Sequence, residues 1–226
     1  MGAVLDLVRV LYEPAAVFER IREKPRFVAP VATVIAVSLL IGLLLRPFIE
    51  AALGPMLAQA AAARGGATPD AGKAALVQIL GGAIVTPLFI ALIGGLLWVA
   101  VSLFGVDARY RVLTSVAAYT SITYLLQLLA GFAVLSLRGV ASITSPLDLQ
   151  PAFGLDLLAP GTTGFVGGLL RSINVFSVWG AVLNGIGVMV THRTSRATGY
   201  GAAALAFLVL VLLLSLLALL QPAPPS

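Results

Sequence analysis

Between Lys73 and Asp107 the chain runs for 33 residues without one charged side chain. A helix crossing a hydrocarbon layer of about 30 Å needs about 20 apolar residues at a rise of about 1.5 Å each. Four further gaps between charges are long enough: 27–45, 112–137, 172–191 and 199–220. The sequence therefore predicts an all-α polytopic membrane protein, a bundle of five transmembrane helices. Pro87 lies in the middle of the longest gap, 74–106, which is read as one long, bent or tilted helix, with two half-spanning helices broken at Pro87 as the alternative. Arg46-Pro47 closes the first span and Arg138 the third; His192-Arg193 closes the fourth.

Composition agrees with this reading. Sixty per cent of the residues are hydrophobic and 10% are charged, whereas a water-soluble domain has about a quarter charged. The chain has no cysteine, which excludes disulfide frameworks, thiolate zinc sites, iron–sulfur clusters and S-palmitoylation. The net charge of +5 comes from basic residues lying between apolar segments. That placement sets topology and forms no nucleic-acid face.

Orientation follows from the retention of positive residues on the cytoplasmic side. With the N-terminus inside, Arg9, Arg20, Arg22, Lys24, Arg26, Arg109, Arg111, Arg193 and Arg196 are cytoplasmic; Arg46, Arg64, Lys73, Arg138 and Arg171 are outside. Nine against five places the N-terminus inside, the C-terminus outside and the protein in a cytoplasmic (inner) membrane. A cleaved leader ending in the Ala-rich stretch 58–63 is the competing reading of the first span. The 26 residues before that span carry four acidic side chains, unlike a short basic leader.

Three segments are too polar for the bilayer core. Residues 1–26 form a cytoplasmic amphipathic segment lying in the membrane interface, with Phe18 as its apolar anchor. Leu5, Val8, Leu11 and Tyr12, then Val17, Phe18 and Ile21 after Pro14, sit at helical spacing against charges. The loop from Pro47 to Gly72 meets the second span through Thr68-Pro69-Asp70, where a hydroxyl cap, an N1 proline and a first-turn carboxylate favour helix initiation. In the outer loop 139–170, Ser145-Pro146-Leu147-Asp148 has the form of a short capped helix. Residues 221–226 are read as a disordered tail.

Candidate chemistry is sparse. No span holds an ionisable residue in its centre, which argues against proton relays, ion-coupled transport and voltage sensing. His192 is the lone histidine and reads as a helix-end cation near the headgroups. Gly66 to Ala74 superficially suggests a phosphate loop, but the spacing is one residue too long and Ala74 replaces the magnesium-binding hydroxyl. No catalytic, cofactor-binding or metal-binding residue is assigned, and no cofactor is expected.

The third span carries Thr114, Ser115, Thr120, Ser121, Thr123 and Gln127; Gln78, Asn174, Ser177 and Asn184 lie in other segments. Helix-to-helix hydrogen bonding is the commoner use of such residues, and a lined conduit is the alternative. Ala91 with Gly95, and Ala181 with Gly185, are small pairs four apart that allow close helix approach. Trp98, Tyr110 and Tyr200 fall at the cytoplasmic interface, where such rings anchor.

Leu11-Tyr-Glu-Pro14-Ala-Ala-Val-Phe18-Glu-Arg-Ile21-Arg-Glu-Lys-Pro25 resembles the N-terminal signature of prokaryotic YIP-domain (Ypt/Rab-interacting) integral membrane proteins. The stretch Asn174 to Leu183, with Trp179, then Gly185-Ile-Gly187 and His192-Arg-Thr-Ser195-Arg196, is similar to the family's fourth span and its basic turn into the fifth. Val116-Ala-Ala-Tyr119 is also similar. Pro14, Phe18, Ile21, Pro25, Tyr119, Trp179 and Gly187 are thereby the candidate interaction residues. Eukaryotic members of that family associate with Rab-type small GTPases in vesicle traffic, which the prokaryotic Ala, Gly and Arg usage here does not suggest. The resemblance carries no catalytic motif. It implies a non-enzymatic membrane scaffold or adaptor whose partners are the lipid bilayer and other membrane proteins or itself. A passive transporter or channel component using the third span is the alternative.

Overall fold

The computed structural model describes residues 2–219; the proposed tail 221–226 lies outside them. Nine α-helices and three 3₁₀ turns make up the described chain, and five helical stretches are long and apolar enough to cross a membrane. The all-α, five-span reading holds. Two short helices, α1 (Gly2–Arg9) and α2 (Pro14–Glu23), precede α3 (Val28–Arg64) and α4 (Ala71–Leu103). The third span consists of α5 (Tyr110–Thr120) and α6 (Ile122–Arg138). After the outer loop come α7 (Gly164–Ser172), α8 (Val175–His192) and α9 (Arg196–Ala218).

Two predicted boundaries differ. Helix α3 does not stop at Arg46-Pro47 but continues through Pro47 and Pro55 to Arg64. The Arg46 guanidinium pairs with Glu50 at 2.6 Å, an i,i+4 bridge that staples the helix across the proline. At about 1.5 Å per residue, Arg46 lies about 27 Å from Val28, close to one hydrocarbon thickness. The helix thus outlasts the apolar stretch. At the start of α4 the cap is Asp70, not Thr68: its carboxylate accepts the Gly72 and Lys73 N–H groups at 2.8 and 3.1 Å. These hydrogen bonds, Lys73 first, hold its pKa below the ordinary carboxylate value. Helix α4 runs unbroken through Pro87 as one long helix.

The third span breaks at Ser121 because donors converge on one carbonyl. The Ser121 hydroxyl and N–H both donate to Ala117 O, at 2.8 and 3.1 Å, and the Thr120 hydroxyl lies 3.1 Å from the same oxygen. Such back-bonding bends helices. In the outer loop the predicted cap at Ser145 is present, closing a 3₁₀ turn, Pro146–Leu149. Desolvation pushes the Asp148 pKa up, but hydrogen bonds from the Thr144 and Ser145 N–H and hydroxyl groups outweigh it and leave it lowered.

The described residues fall into two compact units. One holds residues 2–34, 87–124 and 152–219. Its core joins Leu97, Ala100 and Val101 of α4, Leu113 of α5, Val188 of α8 and Ala202, Ala203 and Ala206 of α9. Helix α5 is its centre, with every residue from Val112 to Thr120 buried. The other unit holds residues 35–86 and 125–151. There Ile49 packs with Ala75 and Ile79, and Gly42 approaches Ile79, so α3 and α4 run antiparallel.

Candidate interaction surface

Helix α2 starts at Pro14, whose fixed φ and missing donor suit the first helical position. Its apolar side chains, Val17, Phe18 and Ile21, are all buried. What covers them is protein: α2 packs against α8 and α5. Gly187 of α8 makes room for this contact. A Cβ there would lie 3.3 Å from the Phe18 ring and would collide with Val116 Cγ1 of α5. Phe18, Val116 and Gly187 therefore form one three-helix junction. The sequence reading laid this face on the membrane interface; the fold puts it inside the bundle.

The junction lies near one end of the helices. Val116 is six residues from the start of α5 and Gly187 five from the end of α8, about 9 and 8 Å by helical rise. Outward from it, α2 presents Glu19, Arg20 and Glu23, all exposed. Arg20 is held to Asp6 of α1 by Nη2–Oδ1 and Nε–Oδ2 contacts of 2.6 and 3.3 Å.

The other family-motif residues divide. Tyr119 is buried in α5, one turn beyond Val116. Pro25 is half-buried between α2 and α3. Trp179 stays exposed on α8, eight residues from Gly187 and away from the junction.

At the same end, His192 takes a role that the sequence did not suggest. Its Nε2 accepts the Arg109 backbone N–H at 3.2 Å, so its proton sits on Nδ1, facing the Thr191 hydroxyl at 2.9 Å. Thr191 in turn donates to Gly187 O at 2.6 Å, and Arg109 Nη2 donates to Thr191 O at 3.2 Å. His192 is thus a neutral acceptor that ties the α4–α5 loop to α8, and not a helix-end cation. A partner 83 positions away leaves no local signal. The following turn uses Arg193 in the left-handed region (φ 50°) and Ser195 as the cap of α9.

The anchor aromatics also have protein partners. Trp98 Nε1 donates to Ala108 O at 3.2 Å, and Tyr110 OH donates to Ala91 O at 3.3 Å. A Cβ on Gly185 would meet the Tyr200 ring at 2.5 Å, in keeping with close approach at the Ala181/Gly185 pair. In α4 the tight approach is one residue from the predicted pair, at Gly94 against Thr114.

The polar residues of the spans are mostly satisfied locally. Ser115 and Thr123 donate to backbone carbonyls of their own span, and Thr120 Oγ1 meets Asn184 Oδ1 of α8 at 3.0 Å. Asn174 and Ser177 form a capping box at the start of α8. These bonds serve helix packing and capping.

A Yip1 domain model matches residues 8–219. The chain belongs to the Yip1-domain family. Membrane protein YknW of Bacillus subtilis (strain 168) is 26% identical over 217 residues, which cover 91% of this chain and 87% of that protein. No solved structure matches. Within this Yip1-domain chain, the N-terminal motif and the Gly187 motif meet in space at the α2–α5–α8 junction.

Proposed function

We propose that this Yip1-domain protein is a non-enzymatic scaffold or adaptor of the prokaryotic inner membrane that binds other membrane proteins or further copies of itself. The observation that carries the reading is the clamped N-terminal platform. Helix α2 is fixed to the bundle by Phe18 and Ile21 while its charged side faces away from the bundle, which is the form of a recognition surface. The charge asymmetry of nine to five supports an inside N-terminus and an outside C-terminus.

The test is mild-detergent affinity purification of the full chain, followed by identification of co-purifying proteins. A defined membrane-protein partner, reduced when Glu19 and Glu23 are replaced by lysine, is the expected result. Saturable solute flux through liposomes holding the protein alone, abolished by changing Gln127, would overturn the reading in favour of a transporter.

A further inference from the structure

Helix α1 has three distinct sides. Leu7 is buried, as is Val10 just past the helix end, and α1 packs on α2 and α5. Asp6 and Arg9 lie on a second side, with Asp6 bound to Arg20. Val4, Leu5 and Val8 lie on a third, within about 100° of one another at about 100° per residue. Their exposures are 48, 59 and 52%. A helix with one face on protein, one charged and one bare and apolar is built for a boundary between water and hydrocarbon.

The position of α1 fits that boundary. Through the Asp6–Arg20 pair it is tied to α2, whose Phe18 seats about 8 to 9 Å in from the ends of α8 and α5 by helical rise. Interfacial helices bury their apolar face about 5–10 Å into the headgroup and acyl boundary. At the same end α4 also presents apolar side chains outward, with Trp98 and Leu103 exposed.

Charge selects the lipid. This end of the unit carries nine Lys/Arg against five Asp/Glu, and Arg9, Lys24 and Arg26 are exposed. Basic residues beside an inserted apolar face attract anionic headgroups.

We infer that α1 is a lipid-inserted interfacial helix that docks on anionic phospholipid, with Val4, Leu5 and Val8 in the acyl boundary and Arg9 and its neighbouring cations among the phosphates. This goes beyond the scaffold reading and holds for either orientation of the bundle. It also moves the membrane anchor from Phe18, where the sequence placed it, to α1.

Because the chain has no cysteine, Leu5→Cys introduces a unique thiol for a polarity-sensitive fluorophore, and Glu13→Cys supplies an exposed polar control. The labelled full-length proteins are placed in nanodiscs of phosphatidylcholine alone or of equal parts phosphatidylcholine and phosphatidylglycerol. In the mixed discs the probe at position 5 is expected to emit to the blue of the control, to lose most of its emission to lipids with brominated chains, and to be spared by aqueous acrylamide. Adding Arg9→Glu and Lys24→Glu should shift it back toward the emission in phosphatidylcholine alone. Acrylamide quenching equal to that of the control overturns the inference, as does identical behaviour in the two lipids. Shielding from both quenchers also overturns it, because a protein surface would then cover α1.

Discussion

The two halves of the third span, α5 and α6, share one uncharged stretch of sequence, 112–137, and meet different surroundings. From Val112 to Thr120 every residue is buried, and five of those nine are Ala, Ser or Thr. Helix α6 carries six leucines, and Tyr124, Leu129 and Leu137 are exposed, Leu137 at 88%. Hydropathy separates helix from water but not lipid from protein, since lipid tails are as apolar as leucine. Side-chain size makes that second distinction. Small and hydroxyl-bearing residues let α4, α8 and α2 close around α5, while bulky aliphatic residues stay exposed on α6, as a lipid-facing side requires.

The largest effect should come from uncovering α5. Phe18→Asp places a carboxylate where a fully buried ring packs, and should cost more than the about 3–5 kcal/mol typical of Phe→Ala in a core. Trypsin should then cut at Arg20 and Arg22 much faster in nanodiscs, with the spans intact. An unchanged cutting rate would show that Phe18 does not hold α2 to the bundle. A smaller loss is expected from Gly187→Ala, whose new methyl meets Val116 and the Phe18 ring. Overpacking of about 1–3 kcal/mol should outweigh the roughly 1 kcal/mol gained in helix propensity. Thermal unfolding in detergent should register the drop, and a stabilised variant would contradict the close approach of α8 to α5. The smallest change belongs to α6. Leu129→Ala on its exposed side should stay within about 0.5 kcal/mol, because lipid fills the space in both forms; a loss as large as that of Gly187→Ala would erase the contrast between the halves.

Part of the candidate site was legible in the sequence. Pro14, Phe18 and Ile21 stood out by spacing and resemblance, and Gly187 by resemblance, and the fold brings Phe18 and Gly187 into one junction. Val116 was noticed only as the start of a similar run, because nothing in a one-dimensional pattern says which side of α5 will receive α2. Trp179 belonged to the same motif and stands apart, for a helix eight residues long already carries a side chain about 12 Å away.

By itself the sequence determined that this chain has five stretches long and apolar enough to cross a membrane. Insertion depends on the transfer of each segment between water and hydrocarbon, a property of length and composition that needs no neighbour. Caps made by adjacent residues, such as Ser145 with Asp148, were equally local. Only the tertiary structure decided which apolar faces meet protein. Leu7 and Val10 are buried against protein beside the Leu5 and Val8 face that the sequence laid on the interface, His192 became an acceptor for a distant loop, and α3 continued past Pro47 against α4. Each of these outcomes depends on a contact or a helical pairing whose energy exists only once the partners are in place, and that information is not carried by hydropathy.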